Sequence, residues 1–313
     1  QKFLHCELQQ KPEAQGALVS IDPISGYVHS LVGGADFNKS QFNRALQSKR
    51  QPGSSFKPIL FAAGLENDFT PASIIIDSPE ALGGADDSLN WKPRNYDGKF
   101  KGPITYRNSL EQSRNVPTIK IAEKMGVSTV IDFTKRIGFN AKLDRDLSLS
   151  LGSFGVTLMD IVTTYAIFPG GGKKVKTISI LKVVDRHGKE YPLSDFQNRE
   201  EEDVEIASTV VASTTPSAIR ANKDIVTKVP KLKAEEEENP FLRDLDEVQV
   251  YDAKLAYIMT NLLKGVIHHG TGRRAKAVSR YLGGKTGTTN SYVDAWFIGF
   301  SANLVTGVWT GLD

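Results

Sequence analysis

The sequence predicts a mixed fold of the α+β class, because strand-like and helix-like segments occupy different stretches of the chain. Near the start, two alternating runs rich in β-branched residues (17–21 and 27–32) flank a turn with proline and glycine, which is typical of a β-hairpin. Apolar residues then recur every three or four positions through much of the chain, which indicates helices. Three further strand candidates, separated by turn residues, lie at the end.

The helix-like segments are bounded by glycine and proline, the residues that most often end helices. Two neighbouring segments stop at Gly126 and Gly138, and the Val116-Pro117 pair is expected to interrupt the first of them. A second hairpin is predicted at 178–193, around a polar turn with a glycine. The helical pattern covers residues 59–66, 105–126, 127–138, 157–168 and 253–269.

Two stretches differ from this pattern. Residues 70–105 are rich in Pro, Gly, Asp and Asn, and so long a loop in a compact domain often forms a wall of a binding cleft. Residues 192–247 contain acidic runs and few aromatics. We expect this segment to be an acidic insertion, mobile or loosely packed, because like charges repel and such a segment buries little. An acidic interaction arm is the alternative.

Composition and charge narrow the functional classes. Hydrophobic residues make up 40% and charged residues 24% of 313 positions, which is ordinary for a globular protein. A net charge of +3 is too balanced to indicate a nucleic-acid partner, and no apolar run approaches the ~18 residues of a membrane span. Cys6 is the single cysteine and the histidines form no metal-binding motif, so neither a disulfide, a metal nor a cofactor is expected.

The stretch QPGSSFKPIL, residues 51–60, places a serine and a lysine one helical turn apart where the chain becomes apolar. Ser54 and Lys57 would therefore share a helix face. A serine hydroxyl is a weak nucleophile unless a base takes its proton, and lysine is such a base only when burial or nearby positive charge lowers its pKa. The pair therefore predicts a second cation close by. A helix cap followed by a solvated lysine is the alternative.

A second stretch, SRN, lies within a helical pattern. Ser113 could relay a proton, and Asn115 offers both a donor and an acceptor, which suits a peptide amide. A surface serine and asparagine at a helix kink are the alternative.

The third stretch, GGKTGT, combines glycines with a lysine and threonines on a strand. The glycines leave the backbone open to a ligand, and Lys285, Thr286 and Thr288 would suit a carboxylate. A phosphate-binding loop of the form GxxxxGK[ST] is excluded, because Ser279 stands in the place of its first glycine.

In this order the three stretches are S-x-x-K, S-x-N and K-T-G, the motif set of penicillin-binding proteins and class A β-lactamases. The chain resembles the transpeptidase domain of class A (bifunctional) penicillin-binding proteins. The resemblance covers most of residues 1–313, without the insertion at 192–247. It is carried by ALVSIDPISGYVHSLVGG, SQFNRA, RQPGSSFKP, NWKPRNYDGKFKGPITYRNSLEQSRNVPTIKIAEKMG, GVIHHGTGRRA and GGKTGTTNSYVDAWFIGF.

The resemblance implies a β-lactamase/transpeptidase-like three-layer fold, with an antiparallel sheet between helical layers and a cleft along the edge strand that holds 285–288. It implies that Ser54 attacks the carbonyl between the two terminal D-alanines of a peptidoglycan stem peptide, with Lys57 as base. Ser113 and Lys285 would pass a proton to the leaving amine. An amine of a neighbouring stem peptide would then take the acyl group, and β-lactams would acylate the same serine.

The resemblance also implies binding roles. Asn115 would hold the amide of the acyl side chain. Thr286, Gly287 and Thr288 would bind substrate, with both threonine hydroxyls on the terminal carboxylate. The backbone N–H groups of Ser54 and Thr288 would form the oxyanion hole.

Fuller members of the family carry an N-terminal membrane helix and a glycosyltransferase domain. The chain begins at Gln1 rather than Met, so we expect a fragment of a longer protein. The resemblance implies that this longer protein is membrane-anchored and that the domain is extracytoplasmic, on the periplasmic face of the cytoplasmic membrane.

Three related functions are alternatives. A serine β-lactamase needs a water-activating glutamate, whereas the nearest match to its E-x-x-L-N loop, DDSLN at 86–90, has aspartate first and precedes Ser113. Arg114, where such lactamases have aspartate, also argues against it. A D,D-carboxypeptidase differs in its acceptor rather than in its motifs. A non-catalytic β-lactam sensor is disfavoured because all three motifs are intact.

Overall fold

The computed structural model describes residues 13–79, 92–191, 248–279, 281–289 and 293–312. The chain divides into two compact units, residues 1–177 with 245–313, and residues 178–244. The predicted insertion at 192–247 and the DDSLN stretch lie outside the described residues, so both expectations stay predictions.

The strands follow the chain in this order: β1 (Gln15–Ile21), β2 (Val28–Val32), β3 (Ile74–Asp77), β4 (Gly102–Thr105), β5 (Lys173–Lys174), β6 (Val183–Val184), β7 (Glu190–Tyr191), β8 (Val248–Gln249), β9 (Gly283–Thr288), β10 (Asp294–Phe300) and β11 (Val305–Gly311). The α-helices are α1 (Lys57–Glu66), α2 (Tyr106–Glu111), α3 (Asn115–Met125), α4 (Val127–Arg136), α5 (Leu158–Tyr165) and α6 (Ala253–His268). Short 3-10 turns cover Gly53–Ser55, Leu147–Leu151 and Arg273–Ala277.

The first unit contains an antiparallel sheet of five strands, in the order β2-β1-β11-β10-β9. The predicted N-terminal hairpin is confirmed as β1 and β2, and the three C-terminal strand candidates are confirmed as β9 to β11. β9 is an edge strand, as predicted for the strand that holds 285–288. In the second unit, the predicted hairpin is confirmed as β6 paired with β7.

Helices pack on one face of this sheet. Val19, Gly307 and Ile298 are paired across three strands and therefore share that buried face. A Cβ at Gly307 would lie 2.2 Å from Cγ2 of Val162 in α5, so glycine lets the helix approach the strand closely. Among the described residues, no helix is both long and apolar enough to span a bilayer.

Helix α1 is buried from Lys57 to Leu65 and packs against α3, α4 and α6. A helix surrounded by protein needs no polar face, which explains the unbroken apolar run ILFAAGL. Lys57 is therefore the exception in this helix, a charged type of side chain at a buried position.

Two expectations about the middle of the chain were wrong. The stretch 70–105 is not entirely loop, because β3 and β4 pair antiparallel within it. The helical break does not occur at Val116-Pro117 but earlier, between Glu111 and Asn115. Pro117 is the third residue of α3, in the first turn, where a missing N–H removes no helical hydrogen bond.

Candidate active site

Ser54 lies in the 3-10 turn that leads into α1 and is only partly buried. In the part of the chain that the structure describes, its Oγ has no hydrogen-bond partner. The neighbouring Ser55 differs: it is fully buried, and its Oγ donates to the carbonyl oxygen of Pro52 at 2.7 Å. The Tyr165 hydroxyl donates to the Ser55 carbonyl and anchors the turn from α5. The turn thus uses the hydroxyl of Ser55 for structure and leaves that of Ser54 unbonded within the described residues.

The Lys57 amine points at the break between α2 and α3. Its Nζ lies 2.8 Å from the carbonyl oxygen of Ser113, 2.7 Å from Oδ1 of Asn115 and 3.4 Å from Oγ of Ser113. The two shorter contacts can use both hydrogens of a neutral amine. Its lone pair is then left for a hydroxyl hydrogen, as a general base requires.

Lys285 reaches the same break from β9. Its side chain is fully buried, and Nζ donates to Ser113 Oγ and to the carbonyl oxygen of Thr286, both at 2.9 Å. The Ser113 hydroxyl therefore lies between the two amines. Ser113 has a φ of 54°, a region that non-glycine residues rarely adopt, and the surrounding bonds hold it there.

Burial is the main cause of the unusual acid–base properties of both lysines, since it disfavours the charged form. It lowers the pKa of Lys285 to about 7. Burial also holds the pKa of Lys57 well below its ordinary value, and the positive charges of Lys285 and Arg114 lower it further. The cation predicted to accompany Ser54 and Lys57 is thus present, and its charge favours a neutral Lys57.

The edge of β9 faces the Ser54 turn. The Thr289 N–H donates to the Asp294 carbonyl at 3.1 Å, so the alternation of antiparallel bonding directs the backbone N–H and C=O of Thr288 away from β10. A Cβ on Gly53 would lie 2.6 Å from the Thr288 carbonyl oxygen and 3.5 Å from its nitrogen. The outward N–H of Thr288 therefore lies beside the turn that carries Ser54, where an oxyanion-hole donor would be needed.

The remaining KTGT residues have different environments. Thr288 is exposed, and the Thr286 hydroxyl is 2.8 Å from the hydroxyl of Thr271, which follows α6. Gly287 packs against the turn, because a Cβ there would lie 2.6 Å from the Pro52 carbonyl oxygen. Thr271 lies outside the three motifs, although it belongs to GVIHHGTGRRA, one of the segments that carry the family resemblance.

Asn115 is already bonded within the chain. Its Oδ1 faces the Lys57 amine, and its Nδ2 donates to the carbonyl oxygen of Arg94 at 3.0 Å. Since the side chain is partly exposed, one amide hydrogen is left for a ligand. In this structure Asn115 orients the amine of Lys57, a contact that its motif alone did not predict.

An ionic cluster that the sequence did not indicate lies next to the site, with Arg114 and Asp77 buried and Asp97 exposed. The Arg114 guanidinium donates to Asp77 through Nε at 3.0 Å and to Asp97 through Nη1 at 2.8 Å, and it also bonds the carbonyl of Lys99. The hydrogen bond from Arg114 lowers the pKa of Asp97. A buried arginine requires carboxylate partners, so Arg114 was the one residue in the motif that could have indicated this cluster. The partners lie 37 and 17 positions earlier in the chain, too far for a local pattern to show.

Comparison with known proteins agrees with this geometry. The model of the penicillin-binding protein transpeptidase domain family matches residues 16–306. Penicillin-binding protein 1A of Pseudomonas aeruginosa is 39% identical over 313 aligned positions, which cover 97% of this chain and 37% of that protein. The same protein of Rickettsia bellii is 37% identical, with 98% and 35% covered. A crystal structure of penicillin-binding protein 1A from Haemophilus influenzae has a TM-score of 0.76 and 29% identity, and the match covers 98% of this chain and 44% of that one.

The fold, in which Lys57 and Lys285 meet at Ser113, is that of an α+β domain of the transpeptidase type, and the predicted fold class is confirmed. The chain belongs to the penicillin-binding protein transpeptidase domain family. It spans little more than a third of the length of the curated relatives it matches.

Proposed function

We propose that this chain is a serine-type D,D-transpeptidase that cross-links peptidoglycan stem peptides through an acyl-enzyme at Ser54. The observation that carries the proposal is the position of Ser113 Oγ, 2.9 Å from the Lys285 amine and 3.4 Å from the Lys57 amine. This arrangement supplies a base on one side of a hydroxyl and a cation on the other.

In the acylation step, the Ser54 oxygen attacks the carbonyl of the penultimate D-alanine while its proton passes to Lys57. The negative charge that develops on the carbonyl oxygen would be stabilised by the N–H groups of Ser54 and Thr288, each donor contributing roughly 10²–10³ in rate. The C–N bond then breaks. The leaving D-alanine amine takes a proton delivered through Ser113 and Lys285.

In the second step, an amine of another stem peptide attacks the ester carbonyl. The C–O bond to Ser54 breaks, and the serine oxygen takes up the proton that the attacking amine loses. A new peptide bond then joins the two stem peptides. A β-lactam would acylate Ser54 by opening its ring. Because the released amine stays attached to the acyl group, it would not leave the site, and the acyl-enzyme would remain in place.

The proposal also assigns substrate contacts and a cellular location. Asn115 would bind the amide of the donor with its remaining amide hydrogen, and Thr286 and Thr288 would bind the terminal carboxylate. The full-length protein would be anchored in the membrane, carry an N-terminal glycosyltransferase domain and act outside the cytoplasm. The low coverage of its relatives' length supports a longer protein.

The test is covalent labelling with a fluorescent penicillin, followed by mass spectrometric mapping of the modified peptide. We expect one label on Ser54 and none on Ser54→Ala. The exposed Ser128→Ala in α4 is the matched control and should label like the wild type. Labelling that persists in Ser54→Ala would overturn the assignment of the nucleophile.

Incubation with a donor pentapeptide and an acceptor amine separates the related activities. A transpeptidase forms the cross-linked product, whereas a carboxypeptidase releases D-alanine without it. Rapid turnover of penicillin would indicate a β-lactamase, and stable acylation without turnover of any peptide would indicate a sensor.

A further inference from the structure

We propose that Asn95 is the positioning residue of this site: its side-chain amide fixes the start of α3, and with it the groups that hold the Lys57 amine. The inference rests on the proposed function, because it concerns the geometry of the same acylation site. Asn95 lies in the loop between β3 and β4, outside the three sequence motifs.

The Asn95 amide is buried and uses its full bonding capacity. Its Oδ1 accepts from the backbone N–H groups of Asn115 at 2.9 Å and Val116 at 3.2 Å. Its Nδ2 donates to Asp77 Oδ1 at 2.7 Å and to the Lys99 carbonyl at 3.0 Å. Two acceptor sites and two donors are all that a carboxamide has, so each is matched here.

These bonds provide the N-terminal cap that α3 lacks in its own sequence. The residue before the helix, Arg114, makes no side-chain cap bond, because a guanidinium has no acceptor to offer the helix N–H groups. Its guanidinium donates into the ionic cluster instead. The first N–H groups of a helix have no partner within it. In α3 these belong to Asn115 and Val116, since Pro117 has none, and Asn95 satisfies both.

The cap acts directly on the catalytic geometry. Asn115 is held by Asn95 through its backbone and binds Lys57 through its side chain. Ser113, two residues earlier, supplies the carbonyl and hydroxyl that face the two amines. Without the cap, the strained Ser113 turn and the Asn115 side chain would lose the bonds that fix them relative to Lys57.

Asp77 fixes which way the Asn95 amide points. Its carboxylate is fully buried, pairs with Arg114 at 3.0 Å and accepts from the Lys101 N–H at 3.1 Å. A carboxylate accepts hydrogen bonds only, so the NH₂ group of Asn95 must face Asp77 and its oxygen must face the helix. Arg114 is thereby linked to the site through Asp77 and Asn95.

The experiment measures the rate of penicillin acylation in the wild type and in Asn95→Leu, which is similar in size but cannot bond. We expect the limiting acylation rate to fall by about 10²-fold, because the reacting groups are misplaced. The penicillin concentration that gives half of the limiting rate should change little. The exposed Asn140→Leu is the matched control. A wild-type rate in a folded Asn95→Leu would overturn the inference.

An exchange of the two polar groups separates positioning from a general loss of folding. In the double variant Asp77→Asn with Asn95→Asp, the amide at 77 donates to the carboxylate at 95, which accepts from both helix N–H groups, whereas the bond to the Lys99 carbonyl is lost. We expect this variant to acylate at least tenfold faster than Asn95→Leu. That ratio is on the order of the free energy that one restored hydrogen bond to a charged group contributes. A double variant no faster than Asn95→Leu would refute positioning by this bond. If the wild type itself is not labelled on Ser54, the proposed function fails instead.

Discussion

Lys57 and Lys285 are fully buried amines whose hydrogen-bond acceptors are neutral oxygens. A neutral acceptor stabilises an ammonium less than a carboxylate does, so burial dominates and the pKa falls. Arg114, whose charge also acts on Lys57, is instead paired with the carboxylates of Asp77 and Asp97. Among the described residues, the fold therefore pairs the structural cation with carboxylates and leaves neutral acceptors for the two amines that we propose exchange protons.

At the residue scale, we expect the stability of the wild type relative to Lys285→Met to increase with pH. Burial lowers the pKa of Lys285 from 10.5 to about 7, so above that pH the unfolded chain binds more protons than the folded one. Stability then rises with pH, and the difference between the two proteins should grow by roughly 2 kcal/mol over about two pH units above neutrality. Urea denaturation across this pH window measures it.

The exposed Lys142→Met controls for the loss of one lysine. A pH-independent difference between the wild type and Lys285→Met would contradict the lowered pKa of Lys285. The same substitution should slow penicillin labelling while leaving the unfolding transition cooperative, because the charge next to Ser113 is lost.

At the element scale, the site depends on close contact between the Ser54 turn and edge strand β9. Glycines on both sides allow it: a Cβ on Gly53 would lie 2.6 Å from the Thr288 carbonyl oxygen, and one on Gly287 would lie 2.6 Å from that of Pro52. A side chain at either glycine would not fit between the two elements. The distance between the Ser54 and Thr288 N–H groups is thus set by backbone packing.

We expect Gly53→Ala to destabilise the fold by about 1–3 kcal/mol and to slow acylation more than tenfold, because the new methyl group separates the turn from β9. Thermal unfolding and penicillin labelling measure the two effects. Gly171→Ala is the matched control: its φ of 66° resembles the 53° of Gly53, but a Cβ there meets no atom within 4 Å. It should lose some stability and keep its acylation rate. Equal acylation by both variants would show that close contact is unimportant.

At the scale of the whole molecule, the chain leaves the first unit and returns to it at neighbouring points. Lys173 and Lys174 in β5 pair with Gln249 and Val248 in β8. In the sequence, β5 precedes the second unit and β8 follows it. A short connection can therefore replace residues 178–244 without stretching the chain. The residues proposed for catalysis all belong to the first unit.

We expect deletion of residues 178–244, with a short Gly/Ser linker in their place, to leave penicillin acylation of Ser54 within about twofold of the wild type, as surface insertions usually allow. Labelling kinetics and a single cooperative unfolding transition measure the outcome. The same deletion carrying Ser54→Ala controls for nonspecific labelling. Loss of labelling on a folded product would assign the second unit a part in the reaction.

Much of the fold was predictable because its signals are local. The strands β1 and β2 follow alternating patterns, β9 to β11 are short segments separated by turn residues, and α4 to α6 follow apolar periodicity with clear end signals. The short strands β3 and β4 were missed because each is stabilised by a partner about thirty positions away rather than by its own pattern. The break before Asn115 was misplaced because an isolated proline reads as an interruption wherever it falls.

The sequence by itself determined the chemistry available: a serine with a lysine one turn later, a second serine with an asparagine, and a lysine on a glycine-rich strand. Spacing within each motif depends only on local geometry. Tertiary structure alone decided that the Ser113 hydroxyl lies between two buried amines and that Asn95 caps α3. Those arrangements depend on burial and on contacts between distant segments, which lower a pKa or orient an amide only after the chain has folded.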